Sequence, residues 1–126
     1  MKYLALLGRI FFSIIFVAGG ANDLAPAAAG YAQSAGVPMA SVATPLAGVI
    51  AILGGLSIAL GFKARWGAWL VVLFMVPVTL IMHAFWKVAD PQTAQMQQVE
   101  FLKNLSMMGG ALLIAQFGSG PASLKD

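Results

Sequence analysis

Cysteine is absent from the chain's 126 residues, and histidine occurs once, at position 83. The first absence excludes disulfides, thiol redox chemistry and thiolate metal sites; the second leaves too few imidazoles for a metal cluster supplied by the protein alone. No metal site is expected. Charge is scarce too: seven Lys and Arg with four Asp and Glu make up 9% of the residues, against 60% hydrophobic ones. A soluble domain carries about 25% charged residues, so these few could not clothe a surface in water. Mean hydropathy is +0.89. The solvent this composition suits is lipid.

Long apolar runs are what the sequence has instead. A helix needs roughly 20 mostly apolar residues to cross about 30 Å of hydrocarbon, and four stretches qualify as spans: residues 3–20, 44–62, 66–86 and 100–117. The last opens with Glu100, Lys103 and Asn104 and leans on its neighbours. The runs do not alternate with period two, so they are helices rather than barrel strands. The expected fold is all-α, a single-domain integral membrane four-helix bundle over residues 1–126. Met1-Lys2, an apolar stretch and the small residues near Ala25 also fit a cleaved secretory signal, against which Arg9 stands inside the apolar stretch.

Lysines and arginines of short loops stay on the cytoplasmic side. Lys2, Lys63, Arg65 and Lys125 share one face, while residues 22–43 contain neither type and the third loop offers Lys87. Both termini are therefore expected in the cytoplasm of a multi-pass inner-membrane protein, with Trp66 and Trp69 at the inner interface and Trp86 at the outer. The pI near 9.6 reflects a net charge of only +3. Its basic residues sit singly at helix ends, which fits topology signals and anionic lipids rather than nucleic acid.

In lipid, helices associate by close backbone approach at small residues. Thr44, Gly48, Ala51, Gly55 and Ala59 form one face of the second span, and Ser106 with Gly110 one face of the fourth, so both faces should point inward. Pro77 should kink the third span and free a carbonyl near Leu73. On the first span Arg9, Ser13, Phe16, Gly20 and Asp23 share a face. Arg9 either snorkels to the inner headgroups, binds an anionic headgroup, or pairs with Gln116 on the last span.

His83 closes the third span, and the expected topology brings Asp23, Glu100, Lys103 and Asn104 to its level, with Thr79 four residues before it. These six could line a polar ligand pocket at the outer leaflet edge. There a carboxylate would orient one imidazole nitrogen and the other would face a ligand, such as a quinone carbonyl. The plainer alternative is an interfacial histidine bonded to a backbone carbonyl or to Thr79, with Glu100 and Lys103 pairing at a helix start.

Gly8-Arg9, Ala18-Gly19, Tyr31, Gly36-Val37-Pro38, Gly54-Gly55, Gly61, His83, Lys103-Asn104-Leu105, Gly109-Gly110 and the tail from Gly118 occur in an order that resembles the DoxX family of small four-helix bacterial membrane proteins. The resemblance implies a membrane bundle, with some relatives associated with quinone-linked sulfur oxidation or oxidative-stress complexes. Many relatives carry an acidic residue where this chain has Ala51 and a lysine where it has Asn22.

Three functions follow as expectations. An accessory subunit of a membrane-bound, quinone-linked redox or oxidative-stress complex comes first, with quinone as the possible cofactor and membrane lipids, redox subunits or further copies of the chain as partners. A non-catalytic scaffold comes second, since no Ser/His/acid set or phosphate loop is present. A small transporter or channel comes last, because the polar residues are scattered rather than continuous.

Overall fold

Proline and glycine set the limits of the helices. The structure, a computed structural model, describes residues 3–121, 123 and 124. Among these are α1 (Leu4–Asp23), α2 (Pro26–Ser34), α3 (Ala40–Leu60), α4 (Ala64–Met82), a 3-10 turn (Phe85–Lys87) and α5 (Pro91–Phe117). Pro26 and Pro91 stand in the first turns of α2 and α5, where a missing N–H costs nothing. Asp90 caps α5: its Oδ2 accepts from the Thr93 N–H at 3.0 Å and from the Thr93 hydroxyl at 2.6 Å. Gly61 ends α3 in the left-handed region at φ 68°. The Ser57 hydroxyl ties down the turn that follows, donating to the carbonyls of Phe62 and Lys63.

Among the described residues three helical segments are long and apolar enough to cross a membrane: Leu4–Asp23, Ala40–Leu60 and Ala64–Lys87, the last including the 3-10 turn. They pack in the order α1, α3, α4, with α5 against α4 and α2 against α3. Glycine pairs make the approach possible. A Cβ on Gly20 would stand 2.6 Å from the Gly48 carbonyl oxygen, and one on Gly54 or Gly67 would stand 2.9 Å from the other's carbonyl. Gly20 and Gly48 thus bring the α1 and α3 backbones together, and Gly54 and Gly67 do so for α3 and α4. Phe16, Ala51, Ile58, Val71, Met75 and Ala111 are buried between the helices.

Hydrogen bonds fix the height of α5. Near one end His83 meets Gln97, and near the other Arg65 Nη1 donates to the Gln116 carbonyl at 2.7 Å. From Gln97 to Gln116 the helix rises about 28 Å at 1.5 Å per residue, matching α4 beside it. The tail then crosses the end of the bundle. Arg9, 4% exposed, donates from Nη1 to the carbonyls of Ser119 at 2.6 Å and Pro121 at 2.9 Å, and the Leu124 N–H donates to the Leu60 carbonyl.

Several expectations are corrected here. Residues 22–43 are no simple loop, because α2 forms within them. The third span, expected over 66–86, lies within the apolar segment Ala64–Lys87, but its α-helix stops at Met82, so His83 is the cap of α4 and Trp86 lies in the 3-10 turn. The fourth helix begins at Pro91, not Glu100, and α5 is not among the helices apolar enough to cross by composition. Glu100 is consequently no helix-start carboxylate; Asp90 has that place. Arg9 is buried by the tail rather than snorkelling, and the Gln116 carbonyl serves Arg65 rather than Arg9. Ser106 is exposed while Gly110 is half-buried against the Phe12 ring, so the inward face of α5 runs through Asn104, Gly110 and Ala111. On α3, Thr44, Gly48, Ala51 and Gly55 are buried as expected, with Ala59 half-buried. Lys2 and Lys125, which contributed to the orientation, lie outside the described residues.

Candidate functional site

The upper halves of α1, α3, α4 and α5 leave space between them, with α2 and Val37 alongside. The result is a cavity of about 530 Å³. A cavity of this size is within the range of about 300–1,000 Å³ that holds small organic ligands. Its apolar wall includes Ile15, Phe16, Phe74, Ile81 and Met107, and Phe16 and Phe74 meet edge to face with centroids 6.5 Å apart. Leu73 and Pro77 also line it, Pro77 lying inside α4.

Polar groups gather toward one end. Asp23 from the end of α1, His83 from the cap of α4, and Glu100, Lys103 and Asn104 from α5 all line the same cavity. Helical spacing explains the α5 set: Gln97, Glu100 and Asn104 are three and four residues apart and share a face. Thr79, 1% exposed, does not line the space; its Oγ1 accepts from Asn104 Nδ2 at 3.1 Å and holds that amide at the wall. His83 Nδ1 donates to Gln97 Oε1 at 2.7 Å. Gln97 does what a carboxylate or Thr79 was expected to do, and it was missed because residues before Glu100 were read as loop. Lys103 Nζ lies 2.6 Å from Glu100 Oε2, a half-exposed pair at the cavity edge. That pair offsets its own charge in place.

Arg9 belongs to the other end of the molecule, bound to the tail, and Gln116 is exposed there. Ala51 is fully buried between α1 and α3, its Cβ within 3.2 Å of where a Gly20 side chain would start. An acidic side chain has no room at that point. Among the described residues no group of three or more His, Cys, Asp and Glu could hold a metal ion.

Sequence comparison then places the protein. The family model described as DoxX matches residues 4–84. The chain belongs to the DoxX family. It is 30% identical over 123 residues to Inner membrane protein YphA of Escherichia coli (strain K12), covering 96% of this chain and 87% of that one. It is 31% identical over 121 residues to Inner membrane protein YqjF of the same organism, covering 94% and 87%. No solved structure matches. Family, relatives and three membrane-length helices together make this a multi-pass inner-membrane protein. The family match stops at residue 84, just after His83. The α5 side of the cavity lies beyond it, within the longer matches to the two relatives.

Proposed function

We propose that the protein is the ligand-holding membrane subunit of a quinone-linked redox or oxidative-stress complex, rather than an enzyme on its own. The observation that carries this reading is the cavity, where an aromatic and aliphatic interior ends in His83, Asp23 and Asn104. A quinone has the same division, with a lipophilic tail and ring and polar oxygens at one edge. An apolar pocket with few convergent polar groups is the usual form of such a site. Asp23, His83, Glu100, Lys103 and Asn104 act as its ligand-facing groups and Thr79 positions Asn104.

In this reading α5 is the fourth crossing. Its composition is marginal alone, but it is tied to α4 at both ends and turns Ala111 inward. Lys63 and Arg65 then face the cytoplasm along with both termini, while α2 and the cavity mouth lie at the outer leaflet. Arg9 and the Gln116 backbone are structural at the inner end. A scaffold role is the second reading, favoured by fully buried Ala51, a small apolar residue at the close approach of α3 to Gly20 of α1.

Gentle purification from native-type membranes, comparing wild type with His83→Ala at matched folding, tests the proposal. A redox protein and stoichiometric quinone accompanying only the wild type support it. Recovery of the same partners without quinone from both samples supports the scaffold.

A further inference from the structure

The cavity does not end inside the bundle. Gly54 of α3 and Gly67 of α4 hold those two helices at backbone contact, but toward the start of α3 and the end of α4 the space between them belongs to the cavity. Its lining there is Leu46, Ala47 and Ile50 on one side and Leu73, Phe74 and Pro77 on the other. None of these six has a polar side-chain atom. Leu46 and Leu73 are 57% and 60% exposed, so the wall of the cavity runs out onto the surface of the bundle. Thr44, on the same helix as Leu46, is turned inward and buried.

Proline loosens both helices at this height. Pro45 stands nine residues before Gly54 and Pro77 ten residues after Gly67, which puts each about 14–15 Å from the glycine contact at 1.5 Å per residue. Each takes one hydrogen bond out of its own helix. The cavity also reaches the side between α1 and α5, where its character differs. A Cβ on Gly110 would stand 3.0 Å from the Phe12 ring, and the lining beyond that contact includes the Lys103–Glu100 pair. A hydrocarbon chain leaving there would lie against charges.

We infer that the cavity is loaded from lipid through the opening between α3 and α4, by an amphiphile whose hydrocarbon chain stays in that opening while its polar head lies by His83 and Asn104. The inference rests on the reading of the cavity as a ligand site. His83 is ten residues beyond Leu73, about 15 Å along α4, so a head held there reaches the opening through its chain. Lipid tails are as apolar as these side chains. The opening therefore accepts a chain of any length without selecting one, whereas a closed cavity would reject chains longer than itself.

The test uses the full wild-type chain in phosphatidylcholine vesicles and a benzoquinone bearing a chain of about ten carbons with a diazirine at its end, photoactivated and mapped by peptide mass spectrometry. Label is expected on Leu46, Ile50, Leu73 and Pro77, falling about tenfold when the same quinone without the diazirine is in roughly tenfold excess. Competed label on Ile15 and Gly19 instead overturns the α3–α4 route while leaving the cavity a ligand site. Label that the excess quinone reduces nowhere in the cavity is exchange with bulk lipid, and it overturns the ligand reading and this inference with it.

Discussion

His83 Nδ1 lies 2.7 Å from Gln97 Oε1, fourteen residues away in sequence, and this contact joins the cap of α4 to the early turns of α5. It also fixes which imidazole nitrogen carries the proton. Replacing Gln97 with leucine should leave the helices intact and cost about 1 kcal/mol in stability. Nitrogen NMR of labelled histidine should show the Nδ1-protonated tautomer in the wild type and a mixture in Gln97→Leu. The same tautomer in both would mean that another group orients the ring.

The glycines divide into two classes with opposite expectations. Gly20→Ala and Gly48→Ala put a methyl group within 2.6 Å of facing backbone carbonyls, where nothing flexible can yield. Each should destabilise by about 1–3 kcal/mol. Gly8→Ala and Gly109→Ala meet nothing within 4 Å and should be neutral or stabilising by up to about 1 kcal/mol. Thermal unfolding in one detergent checks all four together.

Arg9 straps the tail to the bundle through the Ser119 and Pro121 carbonyls. Arg9→Met removes the donor to the Ser119 and Pro121 carbonyls while keeping an apolar stem. Loss of charged hydrogen bonds of this kind costs about 1.5–3 kcal/mol. Limited proteolysis should cut after Gly118 in the variant and spare the wild type. Equal resistance would show that the contact of Leu124 with Leu60 holds the tail alone.

Asp90 gives the N-terminal end of α5 a pH dependence. The Thr93 hydroxyl and then the Thr93 backbone N–H bond its carboxylate and hold it below the ordinary value of 3.8. A carboxylate lowered in the folded state stabilises fully above the unfolded value. That stabilisation fades as pH falls through 3.8 and then through the lower folded value. Protection of the Thr93 amide, its exchange rate relative to an unstructured amide at the same pH, should therefore fall on acidification below about pH 4. In Asp90→Ala that protection should be low at all pH values, with no acid transition of its own.

The three strongest helices were legible because lipid imposes a length and a continuous apolar character that few other constraints can mimic. Their ends agree with the structure to within a few residues. The grouping of Asp23, His83, Glu100, Lys103 and Asn104 around one cavity was accessible from topology alone, because antiparallel helices put the end of one beside the start of the next. Ligand binding there remains the proposal made above. Gln97 escaped notice because Gln92, Gln95, Gln97 and Gln98 lower the hydropathy that marked helices elsewhere. The signal was there in Asp90-Pro91-x-Thr93, a capping residue followed by a first-turn proline. α2 was missed for a similar reason, since Pro26 and its alanines form a short helix too small to register as a span. The hold of Arg9 on the tail had no sequence signal, because backbone carbonyls are present at every residue.

Gly19 offers a way to fill the cavity without disturbing the helix contacts: it lines the space, and a Cβ there meets nothing within 4 Å. Organic extracts of gently purified wild type and Gly19→Phe, compared by mass spectrometry, measure whether the cavity holds a ligand. The account predicts a stoichiometric lipophilic small molecule in the wild type, reduced about tenfold or more in Gly19→Phe, with unchanged thermal stability. The same bulk lipids in the same proportions from both proteins would contradict it.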